Sequence, residues 1–340
     1  MAVLRAQAIM KIIVVIGAGG NQGGSVARTF LNLPHWKVRA ITRNPSSPAA
    51  KALEVLGAEV VQANLSDPDT LSQAFHGAHA IFLNTDFWAT YRSFVATTTP
   101  KEKGPLDGEE FDPGKVAYQA EVSYGRNAAE AAATVPTLEC LVYSALPAMT
   151  KSTGGKYKSH HADSKGAIAD YIETELPDLA KKTSFIYLGA YNTNALLSPV
   201  LDPSDGKYKY FLPLSKAARM PIINQKESTG LFVKALIEDE APGTKLLAYD
   251  TNSYLTYEQI RDIWSRASGK EADFVTVTVQ FMHEKFKTPM ELIQSVPALE
   301  EYGYTGSMKV IEPGDLKTAV RTKSWEEWMM ERDWKAILEA

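Results

Sequence analysis

The chain has 340 residues, 45% of them apolar and 22% charged, with a formal net charge of −4. That length suffices for one large folded unit, or a large and a small one, with a sizeable core. The charge balance leaves no electrostatic footprint for nucleic acid or an anionic membrane, and no apolar run approaches the roughly 20 residues of a membrane span, which argues against direct DNA contact and membrane insertion.

The leader MAVLRAQAIMK has no long apolar region and no cleavage signature. It reads as an N-terminal extension over 1–10 of a cytoplasmic protein, with a short organellar targeting role as the alternative. Residues 11–28, KIIVVIGAGGNQGGSVAR, then pass from a β-branched apolar run through a glycine cluster into a helix-like segment, the layout of a dinucleotide-binding turn. Gly17 permits a tight exit from the strand, Gly20 lets a pyrophosphate approach the backbone, and Gly23 lets the helix pack closely on the sheet. The phosphates would take free N–H groups and the positive dipole end of a helix starting near Asn21. The candidate phosphate loop is therefore Gly17, Gly19, Gly20, Asn21, Gln22 and Gly23, with the spacing Gly17-x-x-Gly20-x-x-Gly23.

Further strands are expected over 37–42, 59–62, 80–84, 138–143 and 183–187, alternating with helices over 21–32, 48–56, 69–75, 117–133 and 163–176. This alternation predicts an α/β fold, a doubly wound parallel sheet (an NAD(P)-binding Rossmann fold) with its ligand crevice at the carboxyl ends of the strands. A long, turn-rich stretch over 91–115 interrupts it, as a lid, a partner-binding loop or a passive insertion; its carboxylates (LDGEEFD, 106–112) read as a solvated loop. The lone cysteine, Cys140, excludes an intramolecular disulfide, fits a reducing compartment, and reads as a small buried hydrophobe in its strand.

Beyond residue 190 the pattern loosens into a smaller α+β C-terminal domain. Residues 201–206 (LDPSDG) form a turn, and 220–237 looks helical. Residues 256–268 read as a helix with Thr256 and Gln259 in capping-box spacing. Residues 274–281 alternate like a strand, and 324–338 form a last amphipathic helix carrying Trp325, Trp328 and Met329. The expected division is a dinucleotide domain over 11–190, to which 220–240 returns, and a smaller substrate or partner domain over 191–219 and 241–340.

The residues after the second strand speak to cofactor choice. The run Ile41-Thr42-Arg43-Asn44-Pro45-Ser46-Ser47 lacks the acidic residue that holds a ribose 2′-OH. Arg43 stands twenty residues after Gly23, where a guanidinium pairs with a 2′-phosphate, with Thr42 and Ser46 as further donors; its other reading is a surface arginine. NADP(H) is favoured over NAD(H). Asn64 and Leu65 are placed to meet the adenine, and Thr85, Asp86 and Phe87 the ribose and pyrophosphate.

The strings VIGAGGNQGGSVAR, VRAITRNP, LGAEVVQANLSDPDTL, GAHAIFLNTDFW, LVYSAL, HHADSKGAIADYI and GAYNTNALL, in this order over most of 11–197, resemble the NmrA-like group of atypical short-chain dehydrogenase/reductases, with a looser fit beyond. The resemblance implies a Rossmann domain with a smaller C-terminal domain, NAD(P) binding, and a cytoplasmic or nuclear location. It assigns Gly17 to Gln22 to the phosphate loop and Arg43 to the 2′-phosphate. Lys165 corresponds to the lysine reaching the nicotinamide ribose, and Tyr191, Asn192 and Asn194 to the segment beside the nicotinamide.

Typical short-chain reductases use Tyr-x-x-x-Lys, the lysine lowering the tyrosine pKa so that the phenol passes a proton to the carbonyl oxygen. Here His161 stands four residues before Lys165, and the nearest upstream tyrosine is Tyr157. The catalytic candidates are Lys165, Tyr157, His161 and Ser144, where His161 is read either as the acid or as a positioning or exposed side chain. Ser144 is read as a substrate-polarising hydroxyl or a turn cap. Phe87, Trp88, Tyr157 and Tyr191 are candidates to line a substrate cleft. His160 and His161 are not expected to bind zinc, since adjacent helical residues point apart and no partners sit at ligand spacing; no metal is expected. Two functions follow: an NADPH-dependent reductase of a carbonyl or conjugated double bond in a small metabolite, or a non-catalytic NADP(H) redox sensor acting through a regulatory protein partner.

Overall fold

The computed structural model describes residues 10–97 and 112–339. In chain order the elements begin β1 (Lys11–Ile16), α1 (Asn21–Leu31), β2 (Trp36–Thr42), α2 (Pro48–Val55), β3 (Glu59–Gln62), α3 (Pro68–Phe75), β4 (Ala80–Leu83), α4 (Phe87–Thr97) and α5 (Pro113–Ala133). They continue through β5 (Cys140–Ala145), α6 (Met149–Ser152), α7 (His160–Glu175), α8 (Pro177–Ala180), β6 (Thr183–Leu188), β7 (Ala190–Tyr191), β8 (Val200–Asp202), β9 (Lys207–Leu212) and β10 (Arg219–Ile223). The remainder is α9 (Thr229–Glu238), β11 (Lys245–Ala248), β12 (Tyr254–Thr256), α10 (Tyr257–Ser268), β13 (Ala272–Thr276), α11 (Val279–Phe286), α12 (Met290–Ile293), α13 (Ala298–Tyr302), α14 (Trp325–Met330) and α15 (Trp334–Glu339).

Seven parallel strands form the central sheet in the order β11-β6-β5-β4-β1-β2-β3. The order reverses between β1 and β4, which opens the crevice at their carboxyl ends. Because a strand turns successive side chains to opposite faces, the apolar run of β1 serves two cores. Ile13 and Val15 pack with Val26 and Phe30 of α1 and Phe232 of α9; Val14 and Ile16 pack with Leu71 of α3, Ala128 of α5 and Ile168 of α7. Burial on both faces explains a strand apolar throughout rather than alternating.

A third apolar cluster gathers around Tyr257, Trp264, Trp325 and Met329, beside two three-stranded sheets, β12-β10-β7 and β13-β9-β8. Several expectations change here. Residues 220–223 form strand β10, with β-branched Ile222 and Ile223 fully buried, and only Thr229–Glu238 is helical. Strand β13 ends at Thr276 because the Thr278 hydroxyl accepts the Phe281 N–H and caps α11, so Val279 and Phe281 lie on a helix. The last helix is two, α14 and α15, with the Trp334 indole donating to the Met329 carbonyl across the break. Lys245–Ala248, expected in the smaller part, joins the central sheet beside β6.

The stretch expected over 91–115 is helical at both ends, α4 reaching Thr97 and α5 starting at Pro113. Residues 98–111, and with them most of LDGEEFD, lie outside the described residues, as do 1–9. No helix among the described residues is long and apolar enough to cross a membrane. Cys140 is buried at the start of β5, where desolvation pushes its thiol up to about 12.

Helix α9 seats on α1 through Gly230. Its N–H donates to the Ser25 hydroxyl (3.0 Å), and a Cβ there would lie 2.5 Å from the Ser25 carbonyl oxygen. Gly230→Ala is expected to destabilise the protein by about 1–3 kcal/mol, the usual cost of overpacking, as read from chemical denaturation; an unchanged midpoint would contradict this packing.

Candidate functional site

The chain leaves β1 through Gly17, whose φ of +70° lies in the left-handed region that glycine occupies without penalty. Its carbonyl accepts the Gly20 N–H (2.9 Å), and α1 starts at once. A Cβ at Gly23 would overlap the Gly17 carbonyl, lying 2.5 Å from its carbon, and one at Gly20 would lie 3.2 Å from its oxygen. No side chain caps α1 and no acidic residue occupies its first turn. The free N–H groups and positive dipole end therefore open onto the crevice, a site for an anion. At the end of β4, Asn84 Oδ1 is buried without a partner among the described residues, an acceptor suited to a donor such as a ribose hydroxyl. The close-approach glycines, the uncapped helix and this acceptor fit a dinucleotide.

The loop after β2 is folded by its own side chains: Thr42 Oγ1 accepts the Asn44 N–H (3.1 Å) and Asn44 Oδ1 accepts the Ser46 N–H (3.0 Å). Arg43 and Ser46 are exposed on it, and the Arg43 guanidinium has no partner among the described residues. After β3, Asn64 closes its own turn, its carbonyl accepting the Asp67 N–H (2.9 Å), while the Leu65 carbonyl accepts from Asn127 (2.8 Å) and its side chain packs on the core.

Gln22 is buried and ties this loop to two other strand ends. Its amide donates to the Tyr191 hydroxyl (2.6 Å), and the Ser144 hydroxyl donates to its Oε1 (2.7 Å). Ser144 is 3% exposed. This hydroxyl is thus bonded to the first turn of α1, at the strand end where the sequence offers either a substrate-polarising group or a turn cap. Burial raises the Tyr191 phenol above its ordinary value. The Asn192 N–H donates to the Ile223 carbonyl (2.9 Å), and Asn194 Oδ1 accepts the Leu196 N–H (2.9 Å).

Lys165, on α7, points its ammonium at the end of β4. It donates to the Thr85 carbonyl (2.8 Å), to Thr85 Oγ1 (3.0 Å) and to Glu121 Oε1 (3.0 Å). Glu121 is 1% exposed, and its other oxygen accepts from the Ser164 hydroxyl. Sequence reading missed it. The signal was a single carboxylate on the otherwise small and apolar buried stripe of α5 (Gly114, Ala117, Glu121, Gly125, Ala128).

One turn before Lys165 stands His161, whose ring lies 5.0 Å from Trp88 and 6.0 Å from Phe87. Phe87 is buried beneath, while Trp88 is half-buried, and Asp86 caps α4 by accepting the Ala89 N–H (3.0 Å). His160 and His161 do not diverge: both Nδ1 atoms reach Glu291 of α12, at 3.0 and 2.8 Å. Burial pushes the Glu291 carboxyl up, but the His161 ring and backbone N–H, with His160, outweigh it and hold it below the ordinary glutamate value. Tyr157 belongs to another neighbourhood, its hydroxyl donating to Glu301 (2.6 Å) and its ring against Tyr302. The lysine four residues from His161, rather than any tyrosine, thus shares its helix face.

Removing one partner of a buried ion pair leaves an uncompensated charge, so Glu121→Leu is expected to cost about 3–5 kcal/mol, and the double change Glu121→Leu, Lys165→Met much less. Urea denaturation of the three proteins measures this; equal losses in the single and double variants would show the pair to be uncoupled.

A family model described as the NmrA-like family matches residues 10–331. An NmrA-like family domain-containing oxidoreductase of Penicillium ochrochloron is 37% identical over 170 residues, covering 48% of this chain and 43% of that protein. One from an Aspergillus species is 30% identical over 279 residues, covering 79% and 76%. The crystal structure of NmrA, a negative transcriptional regulator, in complex with NADP superposes with a TM-score of 0.65 at 20% identity over 97% of this chain and 100% of that one, a likeness of fold. With the family model covering nearly the whole chain, the protein belongs to the NmrA-like family.

Proposed function

We propose that the chain binds NADP(H) across the carboxyl ends of β1, β2 and β4 and reduces a carbonyl or conjugated double bond of a small metabolite. The observation that carries this reading is the α7 face on which Lys165 is anchored at the sheet edge while His161, one turn away, keeps Nε2 without a hydrogen-bond partner among the described residues. Family relatives named as oxidoreductases support it. The glycine loop and first turn of α1 would hold the pyrophosphate, and Arg43, whose guanidinium has no partner among the described residues, the 2′-phosphate. When bound, NADPH supplies the hydride.

The residues do the rest. Thr85 and Glu121 fix the Lys165 ammonium where the nicotinamide ribose would lie, and the Gln22 bridge to Tyr191 and Ser144 holds the phosphate loop in register with the far side of the crevice. Trp88 shields one side of the His161 ring from water. The His161 imidazolium, 21% exposed, passes its Nε2 proton to the substrate oxygen as negative charge develops there. A proton donor placed by a helical repeat, beside a cation at i+4, is the same division of labour as Tyr-x-x-x-Lys with imidazole in place of phenol.

Calorimetric titration tests the cofactor. Arg43→Ala is expected to weaken NADPH about 10- to 100-fold, as losing a charge-assisted bond does, and to leave NADH unchanged; equal NADPH affinity would overturn the assignment. Following NADPH absorbance with quinones, enones and ketones tests the chemistry, with His161→Gln expected to lower kcat on the order of 10²-fold. Absence of turnover by the wild type, with NADPH binding intact and a protein partner captured only with cofactor, would favour the redox-sensor reading.

A further inference from the structure

Glu291 is a buried carboxylate for which the proposed reduction has no direct use. It is 6% exposed and comes from α12, far along the chain from the sheet. Taking a carboxylate out of water is costly unless its lone pairs are satisfied. They are: Oε1 accepts the His161 backbone N–H (2.9 Å) and His161 Nδ1 (2.8 Å), and Oε2 accepts His160 Nδ1 (3.0 Å) and the Gln294 amide (3.4 Å). An ionised carboxylate only accepts, so the hydrogen of the neutral His161 ring must sit on Nδ1. The Ser159 hydroxyl, 3.0 Å from the same nitrogen, both donates and accepts and leaves the choice to Glu291.

We propose that Glu291 is a positioning residue for His161, selecting its Nδ1–H tautomer and orienting the ring so that Nε2 is the nitrogen that takes up and gives up the transferred proton. The proposal rests on the reading of His161 as proton donor. Two bonds from one carboxylate oxygen, to the backbone N–H and to Nδ1 of the same residue, fix the ring against its own helix. The Trp88 ring packs against it from α4. The acid is thus assembled by three elements remote in sequence: α7 supplies it, α12 sets its tautomer and α4 covers it. After donation the ring is left neutral with Nδ1–H still on Glu291, and a solvent proton taken up at Nε2 regenerates the imidazolium.

Two-bond 1H–15N correlations across the imidazole rings of 15N-labelled protein read the tautomer directly, with His161 assigned by the signals lost in His161→Gln. The expected result is a neutral ring protonated on Nδ1 in the wild type and a mixture of tautomers in Glu291→Gln, which is nearly isosteric. In turnover, Glu291→Gln is expected to lower kcat roughly 10- to 100-fold, up to the low end of a positioned acid's full contribution, with the Kd for NADPH unchanged. An Nε2–H tautomer in the wild type, or a variant with unaltered tautomer and kcat, would overturn the proposal; the wild-type spectrum decides even where the variant does not fold. A wild type that reduces no carbonyl or enone defeats the reductase reading instead, while the spectrum still judges Glu291 on its own.

Discussion

The contact on which the site depends is the approach of α1 to the exit of β1, where the Gly17 carbonyl lies so close to Gly23 that no Cβ fits between them. That approach brings the uncapped end of α1 to the carboxyl edge of the sheet, where its N–H groups and dipole face the crevice. It also fixes the other face of the helix, against which α9 closes through a second glycine, Gly230. Gln22, on the first turn of α1, then meets Ser144 and Tyr191. One steric constraint therefore sets the glycine loop, the seating of α9 and the link to the strand ends across the crevice.

The site around that loop is organised by two buried glutamates. Glu121 and Glu291 meet α7 one turn apart, the first holding Lys165 and the second both histidines at the start of the helix. Neither is a natural choice for a core, since replacing a buried ion pair by apolar side chains is often neutral or stabilising. Their placement is understandable as orientation: each removes the freedom of a long or rotatable side chain. In physical terms the helix is a rigid rod that carries His161 and Lys165, and the carboxylates restrain both side chains.

A strong local signal was legible wherever a chemical requirement repeats at short range. The three glycines, the apolar runs of β1 and β5, the Thr256–Gln259 capping box and the His161/Lys165 spacing all follow from neighbours within a few residues. Errors came where local pattern was ambiguous or overridden. The alternation over 274–281 looked like one strand until the Thr278 cap turned it into a helix. The apolar run at 220–223 looked helical because buried strands and buried helices have the same composition. Ser144 stands at a strand end, as a reacting serine does, and its bond to Gln22 is visible only in the packed structure.

By itself, then, the sequence determined the class of fold, the glycine turn between β1 and α1, an arginine after β2 in place of an acid, and a histidine and a lysine on one face of α7. These are set by dihedral preference, side-chain size and helical or strand periodicity, all local quantities. Tertiary structure alone decided that Lys245–Ala248 completes the sheet, that Glu121 meets Lys165 across 44 residues, and that Glu291 meets His161 across 130. A carboxylate looks the same in sequence whether it is solvated or buried. Its role is set by which charges the chain path brings within hydrogen-bond reach, and that path is a property of the whole packed molecule.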